Sequence, residues 1–127
     1  MILAATDYGS EADFVREFLE AAPELRPAWE AYAEDEYEFI PTSAMYELAR
    51  GIVTLVNTHL SSPSDSIDDA LKRIFAFLET GMEMSEDGPI PNLIRLTMCD
   101  WLGRQSENEP VYDTILAYIG PKVRRFL

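Results

Sequence analysis

Apolar positions recur along this chain at the three- and four-residue spacing of an α-helix almost from end to end. A first helix is expected after Ser10, which with Asp13 three residues on makes a capping-box-like start. Phe14, Val15, Phe18 and Leu19 then share one face, and Pro23 stops the helix near Ala22. Pro27 suits the first turn of a second helix, with Trp29, Tyr32 and Ala33 inward and an acidic run before Pro41. Thr42 or Ser43 can cap a third, carried by Met45, Leu48, Ala49, Ile52, Leu55 and Val56. Gly51 lies inside that stripe, where it weakens a helix, so a close helix crossing is expected there. After the loop SSPSDS, Ser66 is the expected cap of a fourth helix buried through Ile67, Leu71, Ile74, Phe75 and Leu78. Gly81 is expected as its C′ residue.

Beyond a short acidic linker, Leu93, Ile94, Thr97, Met98, Trp101 and Leu102 predict a fifth helix ending near Gly103. Val111, Ile115, Leu116 and Ile119 predict a sixth, opened by Asn108 and Pro110 and stopped by Gly120–Pro121. KVRRFL makes a short last turn. No run alternates with the two-residue period of a strand. The expected fold is all-α: residues 1–127 as one domain, a compact bundle or short stack of about six helices in hairpins.

Composition narrows the function classes. The chain has 127 residues and a net charge of −13. Nucleic-acid binding needs a basic footprint, and docking on an anionic membrane face needs basic residues, so both are disfavoured. Cys99 is the only cysteine, which excludes an intrachain disulfide and suits a reducing compartment. The N-terminal residues lack the basic and long apolar segments of a signal peptide, and a cytoplasmic protein is expected.

Catalytic and metal-binding patterns are not recognisable. His59 is the only histidine, and it falls in the last turn of the third helix. A protonated ring there would complement the helix dipole and bond free carbonyls. Cys99 sits beside Met98 on an apolar face and reads as a packing residue, although a Cys99–His59 nucleophile pair stays open. There is no glycine-rich phosphate loop, and the acids around Asp65, Asp68 and Asp69 lack the spacing of a calcium loop. The reading is of a non-enzymatic protein with no catalytic residue, no metal ligand and no cofactor.

The acid excess is uneven. Residues 1–47 hold 12 acidic side chains against Arg16 and Arg26, a balance of −10. Residues 48–127 hold 11 against eight basic ones, a balance of −3. In the second half, Asp68 with Lys72, Asp69 with Arg73, and Asp100 with Arg104 have the i,i+4 spacing of helical ion pairs. Glu30, Glu34, Asp35, Glu36 and Glu38 have no basic neighbour between Arg26 and Arg50. They are either a solvated helix end or a docking patch for a basic protein. Tyr32, Tyr37 and Phe39 interleave them, a mixture that suits a protein-binding hot spot and equally suits core residues. The partner-binding residues expected on the docking reading are Glu34, Asp35, Glu36, Tyr37 and Glu38. Glu83, Glu86 and Asp87 form a weaker acidic patch. Lys122, Arg124 and Arg125 form a small basic cluster, expected to complement a helix end or fold back on the acidic half.

From about Ile67 onward, the segments IFAFLETGM, PNLIRLTMCDWLG and ILAYIGPKVRRF resemble a group of small, acidic, helical bacterial proteins of uncharacterised role. Members commonly end in a hydrophobic-Gly-Pro-Lys segment, as Tyr118 to Lys122 do here. Some are held to be immunity proteins that block a cognate toxin by binding it. Where the group usually has Glu in the penultimate helix, this chain has Asp100–Trp101. The resemblance implies a protein-binding inhibitor, for which the partner is a basic toxin or similar protein. The alternative is a structural or adaptor domain that self-associates, for instance as a homodimer, through an apolar helix face.

Overall fold

The fold was analysed in a computed structural model, which describes residues 5–35, 40–84 and 88–127. Among the described residues it is all-α, with no strand. Helix α1 spans Ala5–Ala21, and a 3₁₀ turn over Pro23–Leu25 leads into α2, Arg26–Asp35. Helix α3 is Pro41–Ser61 and α4 is Asp65–Met82. The expected fifth helix is a run of pieces: α5 over Pro89–Ile94, a π-turn over Arg95–Cys99, α6 over Asp100–Gly103 and a 3₁₀ turn over Arg104–Glu107. Helix α7 is Glu109–Tyr118, and α8 is the short Pro121–Arg124. No helix among the described residues is long and apolar enough to cross a membrane.

The stripe on α3 explains why that helix lies in the middle. Met45, Leu48, Ala49, Ile52 and Val56 are fully buried, and α3 packs against α1, α2, α4, α5, α6 and α7. Twenty-one residues at about 1.5 Å each make it roughly 30 Å long, so its ends face distant surfaces. Phe18 stacks on Phe77 at 5.3 Å, with Phe14 5.1 Å from the same ring, and this cluster joins α1 to α4. The close crossing expected at Gly51 is present: a Cβ there would lie 3.1 Å from both Ala28 Cβ and Leu25 Cδ2.

Several helix ends differ from expectation. Helix α1 starts at Ala5, so Ser10 is inside it and not its cap. Ala33 is exposed, while Tyr32 is buried. Neither Thr42 nor Ser43 caps α3; its first residue is Pro41, and Ile40 stands at the N-cap. There the Tyr32 hydroxyl accepts from the Ile40 amide at 3.0 Å, so α2 closes the start of α3 through a side chain. Helix α4 starts before Ser66, and Ser64 is its cap, accepting from Ile67 N. Gly81 is not a C′ residue. It is buried within α4, where a Cβ would come 2.7 Å from Ile94 Cδ1 and 3.0 Å from Phe14 Cε1. Space, rather than a left-handed turn, accounts for glycine there.

Candidate functional site

The predicted partner-binding residues lie at the N-terminal end of α3. Glu34 and Asp35 belong to the last turn of α2, whereas Glu36, Tyr37 and Glu38 lie outside the described residues, as do Phe39, Glu86 and Asp87. Glu30 is exposed on the same helix and makes no ion pair among the described residues.

Elsewhere the carboxylates are tied down. Asp68 pairs with Lys72 at 2.9 Å and Asp100 with Arg104 at 2.9 Å, as their spacing predicts. The expected Asp69–Arg73 pair does not form. Arg73 instead reaches Glu24 in a two-pronged contact, 2.7 and 3.3 Å, and donates to the Ala21 carbonyl at 2.7 Å. A guanidinium that closes the C-terminal end of α1 and meets a carboxylate squarely does better than one paired within its own helix. This contact holds the Glu24 carboxyl below its usual range.

At the opposite end of α3 lies a cleft of roughly 840 Å³ between α4 and α7. Helix α4 contributes Asp68, Lys72, Ala76 and Glu79, which repeat at three- and four-residue spacing on one side of the helix. Helix α7 contributes Asp113, Thr114, Ala117 and Tyr118, and the end of α3 contributes His59 and the exposed Leu60. The Tyr118 hydroxyl donates to Asp68 Oδ1, bridging the two helices. That bond holds the Asp68 carboxyl below its ordinary range, with Lys72 acting in the same direction, and pushes the Tyr118 phenol up to about 12.

His59 is in the last turn of α3 as expected, but its ring does not bond carbonyls. Its Nδ1 faces the Ser64 amide at 3.3 Å and accepts from it, which requires an unprotonated Nδ1. The ring thus braces the α3–α4 connection. Cys99 is not among the residues lining the cleft. It is buried, its Sγ points at the Val123 carbonyl at 3.7 Å, and burial pushes its thiol up to about 12.

One wall of the cleft explains the Gly-Pro-Lys segment. Both Glu79 carboxylate oxygens accept from the Lys122 amide, at 3.0 and 3.1 Å, and Oε1 also accepts from Val123 N at 3.1 Å. Glu79 therefore caps α8 from across the fold. Gly120 leaves room for it, since a Cβ there would stand 2.5 Å from the carboxylate. The basic tail meets the acid through its backbone, not through Lys122, Arg124 or Arg125 side chains. Arg125 lies over the Phe126 ring at 5.5 Å, and Arg95 covers the same ring at 5.8 Å.

A polar hollow nearer the acidic end is lined by Ser43, Tyr46, Glu47, Arg50, Trp101 and Arg104, with Tyr32. Its charges are internally matched: Arg50 meets Glu47 at 2.8 Å and lies 5.0 Å from the Trp101 ring centre. The Tyr46 hydroxyl lies 2.8 Å from Asp100 Oδ2 and 2.9 Å from the Leu96 carbonyl in the π-turn.

Comparison with protein-family models, curated proteins and solved structures finds no match. The α4–α7 cleft was missed from sequence because its walls come from residues about 50 positions apart. The available signal was Asp68, Lys72, Ala76 and Glu79, a polar and small-residue stripe beside the buried face of α4.

Proposed function

We propose that this protein is a non-enzymatic binding domain that engages a basic protein, as an inhibitor or immunity protein does, through its acidic N-terminal part. The observation that carries this reading is the division of charge. The first 47 residues hold a balance of −10, and in the later helices Asp68 and Asp100 are neutralised by neighbours. A one-sided negative surface speeds encounter with a basic partner and makes affinity fall with salt. The contact residues on this reading are Glu34, Asp35, Glu36, Tyr37 and Glu38, with Glu30 beside them.

The test is affinity capture from the source cell's lysate at low and high salt. Wild-type protein should retain a basic protein at low salt and release it at high salt. A variant with Glu30, Glu34, Asp35 and Glu38 changed to Lys should not retain it. Equal retention by both proteins at both salt concentrations would overturn the reading.

A second reading, self-association through an apolar face, draws on the exposure of Leu96 (52%) and Phe126 (37%). It requires a concentration-dependent mass near twice 14.4 kDa that does not respond to salt.

A further inference from the structure

We propose that the cleft between α4 and α7 is a groove for one amphipathic helix of the basic partner, with its apolar stripe on the floor and Lys or Arg along its flanks. The inference rests on the basic-partner reading above and adds a second contact surface to it.

The dimensions suit a helix. From Asp68 to Glu79 the α4 wall runs about 16 Å, or three helical turns, at the standard rise per residue. Ala76 and Ala117, on the two walls, are exposed and small, so nothing fills the space between α4 and α7 at their level. Beneath them is the largely buried ring of Phe75, and at the α3 end Leu60 stands 41% exposed. Apolar floor and small walls are the features with which a groove accepts the bulky side chains of a docking helix.

The charge selects the occupant. The lining carries three carboxylates, Asp68, Glu79 and Asp113, against one lysine, Lys72. Lys72 is taken by Asp68. Glu79 is satisfied by backbone amides, which bring no full positive charge. Asp113 is exposed and makes no ion pair among the described residues. Two carboxylates therefore line the groove without a cation. Asp65, Asp69 and Glu109 in the opening turns of α4 and α7 add to the same sign. An acidic helix would be repelled, whereas a basic one would complete the ion pairs.

The experiment uses the full chain, isotopically labelled, and two synthetic helical peptides. Both have leucine along one face; the flanks are lysine in one and glutamate in the other. At low salt the lysine peptide should shift the amide signals of Leu60, Ala76, Thr114 and Ala117, and added salt should weaken it. Ala117→Trp, at an exposed site and checked by its thermal melt, should weaken binding by roughly tenfold or more, as loss of a central contact does. Ala117→Ser, which leaves the groove open, should bind as wild type, and Asp113→Lys should bind more weakly. Shifts confined to α2, equal binding of the glutamate peptide, or unchanged binding by Ala117→Trp would overturn the groove.

The two proposals fail separately, because the groove and the acidic end of α2 lie at opposite ends of the roughly 30 Å α3. If α2 charge reversal abolishes capture of the natural partner and Ala117→Trp leaves it intact, the groove is wrong and the basic-partner reading stands. If neither variant changes capture, both are wrong.

Discussion

The two ends of α3 handle charge and helix termini differently. At the C-terminal end each polar group has an assigned partner: Asp68 has Lys72 and Tyr118, His59 has the Ser64 amide, and Glu79 has the amides of α8. At the N-terminal end the start of α3 is closed by one tyrosine hydroxyl, and Glu30 on the neighbouring helix has no ionic partner among the described residues. Carboxylates in the first region therefore hold the fold together. Exposed carboxylates in the second contribute little to stability, which leaves them free to serve binding.

The contrast can be broken most forcefully at Glu79. Glu79→Ala should cost about 1–2 kcal/mol in urea unfolding, since the two α8 amides lose their cap. Gly120→Ala should cost about 1 kcal/mol by displacing the same carboxylate. The double variant should cost clearly less than the sum, because both changes remove one interaction. Full additivity would show that Gly120 is not there to seat Glu79.

Tyr32→Phe tests the other end. It removes the acceptor of the Ile40 amide and should lower stability by about 1 kcal/mol while leaving the ring packed. An unchanged unfolding midpoint would mean that the hydroxyl does not close α3.

Tyr118→Phe should act through pH. The folded phenol titrates near 12 against about 10 in an unfolded chain. A raised value means that its stabilisation is fully present below pH ~10 and is lost as pH rises toward 12. Asp68 is shifted the opposite way, so its contribution is present above the unfolded carboxylate value of ~3.9 and is lost as pH falls through its lower folded value. Tyr118→Phe should flatten the alkaline fall and weaken the acid one in thermal melts. A melt profile identical to wild type at both extremes would show that the bridge carries no stability.

The smallest stability effect is expected at α2. Glu30→Lys with Glu34→Lys should change unfolding by no more than about 0.5 kcal/mol, as exposed substitutions usually do. The same change should abolish capture of a basic partner. A large loss of stability would place these acids in the structural class with Glu79.

What was legible in the sequence followed from local geometry. The apolar stripes of α3 and α4 and the pairs Asp68–Lys72 and Asp100–Arg104 depend only on helical pitch, which is the same wherever a helix forms. Ser64 displaced Ser66 because both hydroxyls stand at the same turn, and choosing between them depends on the chain's entry into α4. Arg73 has Asp69 within reach on its own helix, yet it meets Glu24 and Ala21 because α1 ends beside α4, a fact with no local signature. Gly81 likewise depends on α1 and α5 crossing α4 at one point. The acidic cluster was visible as composition alone. The groove was not, since Asp68 and Tyr118 meet only across 50 residues.

By itself the sequence determined an all-helical chain, the buried face of each long helix and an acid excess concentrated in its first 47 residues. Those properties are sums or short periods along the chain. Tertiary structure alone decided which carboxylates are consumed in holding helices together and which stay available. A charge's partner is chosen by distance in space, and helix packing brings residues some 50 positions apart within hydrogen-bonding reach while leaving a neighbour four residues away unused.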